Sequence, residues 1–305
     1  MDAKNTAVDT EKKNLPGILL NTLPKSASVY TWTALAKGLD LDMMRVSCHF
    51  FPVDLIVPEH AALLAQGGVV CQEHIDASWQ NKAVLGGCLD KMIVHVRDPR
   101  SSALEWAHHM LTFKNEQEHM KQTGAGADDA IADMSRLPFK ERCIQYLQSA
   151  LPNGTVDLLG TKWGLVLMNP DYMPEGYFDM SFEEQVGVQV GNYLPDAIRW
   201  IEGWLDAIED PKFKTEVLMV QYEEFVKDEN AYFDRILDFY GIDKSIWTFK
   251  PFTPKRADDP TYEGEFHFRN ARPDEWRDSF TAEQIDKAAK MMPERLLKRF
   301  NWPER

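Results

Sequence analysis

The chain has 305 residues, 44% of them hydrophobic, and 34 Lys and Arg against 48 Asp and Glu give a formal net charge of −14. With no Pro/Gly/Ser-rich linker, that apolar content indicates one domain with a large core, and the acidic balance speaks against nucleic acid and anionic membranes as partners. No run approaches the roughly eighteen apolar residues that cross a bilayer and the first residues lack the apolar stretch of a signal peptide, so we expect a flexible segment at 1–14, a single domain at 15–305 and a cytoplasmic protein.

The first predicted element is a buried strand at Gly17 to Leu23 (GILLNTL), bounded by Pro16 and Pro24. After the loop PKSAS, residues Val29 to Leu39 place Trp32, Leu35 and Leu39 at helical spacing. A second strand, Gly68 to Cys71, ends at Gln72, Glu73 and His74, and a third, Met92 to Val96, ends at Arg97. Asp98 and Pro99 suit the cap and first position of the next helix, because proline needs no amide partner there. From Thr112 to Tyr177 the pattern is weak, apart from a helical stretch near Phe139 to Leu151, and we expect a variable lid or insertion. Periodicity returns between Ser181 and Glu209 as two helices interrupted near Gly191 and Pro195. A fourth strand, Glu216 to Gln221, runs into Tyr222, followed by a helix carrying Tyr232, Ile236, Leu237 and Tyr240 and closed by Gly241.

Strands that alternate with helices predict an α/β fold in three layers, a mainly parallel central sheet flanked by helices. Ligands of such sheets bind beyond the carboxyl ends of the strands, and Lys25, His74, Arg97 and Tyr222 all fall at that edge. A loop between a strand and a helix presents backbone amides and the positive helix end, so TLPKSAS can cradle a phosphate with Lys25 as a movable charge. It lacks the GxxxxGK[ST] spacing, and taken alone it is equally a solvated turn. The C-terminal strip FHFRNARPDEWRDSFT carries Arg269, Arg272 and Arg277, which either close over an anion or pair with Asp274, Glu275 and Asp278 in solvent. Cys48, Cys71, Cys88 and Cys143 show no CxxC spacing; Cys71 and Cys88 lie in apolar stretches and read as buried thiols, with no metal site.

Taken together these segments resemble the cytosolic family of PAPS-dependent sulfotransferases (PAPS is 3'-phosphoadenosine-5'-phosphosulfate). PKSASVY at Pro24 to Tyr30 resembles the family loop PKSGTTW, and RDPRSSALE at Arg97 to Glu105 resembles RNPKDxxxS. Gln221 to Ile242 resembles the family's YEDL-type strand and helix, and Arg269 to Thr281 follows RKGxxGDWKxxFT through Arg269, Trp276, Arg277, Phe280 and Thr281. The resemblance implies a P-loop-like fold and PAPS as co-substrate, with adenosine 3',5'-bisphosphate released and no metal needed. It implies that Lys25 follows charge onto the bridging oxygen and that the backbone of Ser26, Ala27, Ser28 and Val29 holds the 5'-phosphate. Tyr30 would stack on the adenine in place of a tryptophan, Tyr222 would touch it, Arg97 and the stretch Arg269, Asn270, Ala271 would bind the 3'-phosphate, and His74 would be the catalytic base. His95, inside a strand, reads as core, and His49 and His267 are the fallback bases.

Four further positions depart from the family pattern. Glu105 stands where a serine normally meets the 3'-phosphate, with Ser101 or Ser102 as substitutes nearer the helix start; Asn270 and Ala271 replace a lysine and a glycine; Gln72 replaces a lysine two positions before the histidine. The acceptor is a small molecule carrying a hydroxyl or an amine, with Phe50, Phe51, Phe113, Trp163, Tyr172 and Phe178 as candidate apolar walls and Asp128, Asp129 and Asp133 as a candidate attraction for a cation. A homodimer stays open. The competing readings are a P-loop-type nucleotide kinase, against which the missing Walker spacing and Arg97 at the third strand end both argue, and a non-catalytic nucleotide-binding scaffold, against which His74 argues.

Overall fold

The computed structural model describes residues 15–48, 51–52, 54–123, 170–251 and 272–305. Its centre is a five-stranded sheet in the order β2-β5-β1-β6-β7, made of β1 (Ile18–Thr22), β2 (Asp42–Met44), β5 (Val69–Glu73), β6 (Lys91–Val96) and β7 (Glu216–Gln221), with every pairing parallel. A short antiparallel pair, β3 (Ser47–Cys48) and β4 (Leu55–Ile56), lies outside it. The four strands expected from the apolar runs are all present; β2 and the β3/β4 pair are additions, two or three residues long with no alternating pattern to betray them. Glu73, expected just past the second strand, is its last residue.

Both faces of the sheet are covered, which is why its strands are apolar throughout. Leu19 and Leu23 of the first strand segment point into one core with Cys71, Met92, Val94 and Val96, whereas Ile18 and Leu20 point into the other with Val70, Ile93 and Val220. The first core is closed by α2 (Pro58–Leu64), α3 (Trp79–Cys88), α4 (Pro99–Thr123), α5 (Phe182–Gly191) and α6 (Tyr193–Glu209); the second by α1 (Ser28–Leu39) and α8 (Glu229–Tyr240), which follows the short α7 (Tyr222–Lys227). α9 (Trp276–Ser279), α10 (Ala282–Met291) and α11 (Glu294–Phe300) add Trp276, Ala288, Leu296 and Phe300 to the first core. The expected interruption near Gly191 is the break between α5 and α6, while Pro195 lies inside the first turn of α6, where a missing amide costs nothing.

The strand order changes direction between β1 and β6: the chain leaves β1 toward β2 and β5 on one side and returns to β6 and β7 on the other. A crevice therefore opens beyond the carboxyl ends of these two strands. Chain leaving a sheet must find new partners for its backbone, and here buried side chains supply them. Asn21 accepts from the Ile75 amide at 2.7 Å and donates to the Ile75 carbonyl at 3.0 Å, and the indoles of Trp200 and Trp204 on α6 donate to the carbonyls of His74 (3.1 Å) and Ile75 (2.8 Å). The backbone just past β5 is thus held from two sides. Replacing Asn21 by Ala strands the Ile75 amide in the core, and urea unfolding should show a loss of about 2 kcal/mol; an unchanged midpoint would mean that the strand ends are held by packing alone.

Candidate active site

The loop after β1 is fastened at successive carbonyls. Leu23 donates its amide to His95 O at 2.8 Å and accepts from Ser26 Oγ at 2.6 Å. The Pro24 carbonyl accepts from Ser102 Oγ at 2.5 Å and from the Tyr193 hydroxyl at 3.2 Å, and the Lys25 carbonyl accepts from Arg97 Nη1 at 2.8 Å. Lys25 and Ala27 take left-handed conformations, with φ of 65° and 62°. For alanine that geometry costs about 1 kcal/mol, and it occurs where the resembling family loop has glycine. Ala27 is also the cap of α1, whose first intrahelical bond runs from Thr31 N to Ala27 O, so the amides of Ser28, Val29 and Tyr30 sit at the positive helix end ahead of that bond.

Lys25 lies with its ammonium 5.8 Å from the centre of the Trp106 ring. Loss of hydration holds its pKa down to about 7, against the opposing pull of Glu105. Arg97, at the end of β6, is almost fully buried; it stacks 4.2 Å over the Tyr222 ring, and its Nη2 lies 3.5 Å from Glu105 Oε1 and 3.3 Å from the Arg272 carbonyl. Its Nε is buried, with no hydrogen-bond partner among the described residues. Glu223, at the start of α7, accepts from the Asp98 amide at 3.0 Å, and burial above all raises its pKa.

His74, the first residue past β5, is half-buried and reaches back to β1. Its Nδ1 lies 2.6 Å from the Thr22 carbonyl and 3.1 Å from Thr22 Oγ1. A carbonyl can only accept, so Nδ1 carries the proton and Nε2 holds the lone pair. Gln72 donates to Thr22 Oγ1 at 3.1 Å, and its amide nitrogen stands 3.4 Å from His74 Nε2. The ring is therefore set as an acceptor at Nε2, the tautomer that a general base requires. Neighbouring Glu73 is fully buried and belongs to the fold: it accepts from the Val46 amide at 2.5 Å and Ser47 Oγ at 2.7 Å.

Tyr30 packs on the second core, 5.5 Å from Phe225 and 6.0 Å from Phe249 between ring centres, with its hydroxyl on Glu229. The hydroxyls of Ser101 and Ser102 donate to the carbonyls of Pro273 and Pro24. Arg272 is exposed and pairs with Asp278 at 2.7 Å, the solvent reading of the basic strip, and Arg277 lies over Trp276. Cys88 is only half-buried, while Cys71 is fully so. Arg269, Asn270, Ala271, His267, His49, Phe50 and Trp163, the acidic residues Asp128, Asp129 and Asp133, and most of the expected lid at 112–177 lie outside the described residues, as does the side chain of Phe113. His95 is fully buried, its Nδ1 at 2.8 Å from the Tyr232 hydroxyl and its pKa held down to about 3 by burial first and Arg97 second.

Sequence reasoning missed Thr22, which holds His74, and Tyr193, which holds the loop; Gln72 and Ser102, singled out from the sequence for other reasons, share these positioning roles. It also missed the aromatic group beside Lys25, in which Trp106 stacks on Tyr193 at 4.8 Å and Phe51 and Tyr172 complete the set. Tyr172 and Phe51 were expected as walls, but Phe178 packs elsewhere, against Tyr177. Trp106 follows Glu105 one position past the recognisable motif, the one signal that could have marked it. Among the described residues no group of three or more His, Cys, Asp or Glu is placed to hold a metal, and no described helix is long and apolar enough to cross a membrane.

The sulfotransferase domain family matches residues 74–300, which takes in His74, Arg97 and Tyr222 and leaves the Lys25 loop outside. Among curated proteins none matches the chain at a significant level. Among solved structures, mouse sulfotransferase SULT7A1 complexed with PAP aligns with 94% of this chain and 88% of its own, at 15% identity and a TM-score of 0.48.

The Lys25 environment makes a prediction about protons. An anion bound at the loop favours the ammonium and raises its pKa above 7, so binding at higher pH must take up a proton, and affinity must fall as pH rises through the free-protein value. Calorimetric titration of adenosine 3',5'-bisphosphate at pH 8, in buffers of different ionisation enthalpy, should show net proton uptake that the Lys25→Arg variant lacks; uptake unchanged in that variant would place the titrating group elsewhere.

Proposed function

This chain belongs to the sulfotransferase family, whose members transfer a sulfuryl group from PAPS, and we propose that it does so to a hydroxyl or amine of a small acceptor at the crevice between β1 and β6. The observation that carries this reading is the convergence of His74, Lys25 and Arg97, from three different strand ends, through bonds to two carbonyls of one segment: His74 to Thr22 and Arg97 to Lys25.

In the proposed reaction His74 Nε2 takes the proton of the acceptor while the acceptor oxygen or nitrogen attacks sulfur. The bond from sulfur to the bridging oxygen breaks, and its electron pair stays on the 5'-phosphate of adenosine 3',5'-bisphosphate. Lys25, protonated beside that anion, stabilises the charge as it develops, together with the amides at the start of α1. Arg97 takes the 3'-phosphate, with Tyr222 beneath its guanidinium as a rigid shelf. Positioning and charge stabilisation do most of the work in such transfers, as in phosphoryl transfer, and no side chain needs to become a covalent intermediate. Trp106 and Phe51 are the parts of the aromatic group with some remaining exposure, and they support an apolar acceptor side of the crevice. A cytoplasmic setting and a role in small-molecule metabolism accord with this reading.

Replacing His74 by Ala should lower kcat by about 10²–10⁴-fold, the usual worth of a positioned base, while binding of adenosine 3',5'-bisphosphate stays within a few-fold of the parent. Turnover is followed as release of the bisphosphate from PAPS with a panel of phenol, alcohol and amine acceptors. Binding lost together with turnover would make His74 a structural residue of the nucleotide site instead.

A further inference from the structure

Among the described residues Glu105 is the acidic side chain set against both Arg97 and Lys25. It lies on α4 three positions beyond Ser102, hence on the same helix face, and Ser102 itself is bonded to the loop carbonyl at Pro24. Its carboxylate stands 3.5 Å from Arg97 Nη2, and it also acts electrostatically on Lys25. Side-chain exposure is 4% for Arg97 and 12% for Glu105, so the pair lies in a poorly hydrated place where charges act strongly on one another. The rest of the guanidinium is held by neutral carbonyls, of Lys25 and Arg272, and its Nε has no hydrogen-bond partner among the described residues. Such an arginine has capacity for a further acceptor; its ion pair among the described residues is with Glu105, while Glu223 also acts on it electrostatically.

A nucleotide phosphate that reaches Arg97 meets this carboxylate at the same guanidinium. Two anions cannot share that position without strong repulsion, so the carboxylate must withdraw as the phosphate arrives. We propose that Glu105 is an internal competitor for the nucleotide: it holds Arg97 between turnovers and lowers the affinity for donor and bisphosphate product alike, giving the site an anion of its own that returns as product leaves. The inference rests on the donor-site reading above and goes beyond it by assigning a role to a residue that this reading leaves as a misfit.

The test uses Glu105→Gln, which keeps the shape and removes the charge, and Glu105→Ser, each checked for cooperative urea unfolding before use. Calorimetric titration with adenosine 3',5'-bisphosphate should show binding at least about tenfold tighter than the parent, worth 1.4 kcal/mol. In an Arg97→Ala background the same changes at Glu105 should bring less than half of that gain in free energy, because the competition is for that guanidinium. Equal or weaker binding by a folded Glu105→Gln protein would overturn the proposal and make the pair a brace of the fold. A full gain in the absence of Arg97 would overturn it too, by placing the repulsion elsewhere. If the parent itself binds no bisphosphate, the donor-site reading fails and the proposal goes with it, an outcome distinct from the first two.

Discussion

Everything at the crevice depends on the bond from the buried Arg97 guanidinium to the Lys25 carbonyl. It joins the end of β6 to the loop after β1, the two strands between which the sheet changes direction, and so converts a gap in topology into a shaped opening. The constraint behind it is general: backbone leaving a sheet inside a protein must be paired. Here the groups that pair it are also the groups with chemistry. His74 satisfies Thr22, and in doing so fixes its own tautomer; Arg97 satisfies Lys25, with its Nη2 set by Glu105 and the Arg272 carbonyl.

The electrostatics follow from the same burial. A chain of net charge −14 offers no long-range attraction to a nucleotide, so the anion must be recognised at short range by cations in a low-dielectric place. Burying those cations has a cost, visible in Lys25, whose pKa is drawn down to about 7, and in Arg97, whose Nε has no hydrogen-bond partner among the described residues. Glu105 and the Tyr222 ring offset part of that cost in the absence of ligand. By contrast, the neighbouring pair of Arg100 and Asp98 is bidentate, with bonds of 2.9 and 2.7 Å, and Arg100 further binds the carbonyls of Pro303 and Glu304. With four of its five N–H groups bonded, that arginine serves to dock the C-terminus, whereas Arg97, three residues before it, keeps an Nε without a hydrogen-bond partner among the described residues.

The sheet was legible because its strands are buried on both faces and read as short apolar runs ending in polar residues, and the positions of Lys25, His74 and Arg97 at one edge followed from that pattern alone. What the pattern could not convey is where a side chain turns. Tyr30 lies in a recognisable loop motif, yet its place in α1 puts the ring among Phe225 and Phe249, residues about two hundred positions away whose contact no local signal encodes. Ser101 and Ser102 were marked by spacing, but the carbonyls of Pro273 and Pro24 to which they donate were not. Thr22 and Trp106 carry no motif at all, and their importance comes only from what the fold sets beside them. Glu105 was visible as a departure, and its contact with Arg97 gives that departure a physical meaning.

The central claim is that the edge shared by β1, β5 and β6 binds an adenosine nucleotide bearing separate 3'- and 5'-anions. Calorimetric titration of the full chain with adenosine 3',5'-bisphosphate beside ATP, with and without magnesium, tests it most directly. The account predicts binding of the bisphosphate that is independent of magnesium and tighter than that of ATP. Preference for ATP in the presence of magnesium, or no binding of the bisphosphate at all, would contradict it.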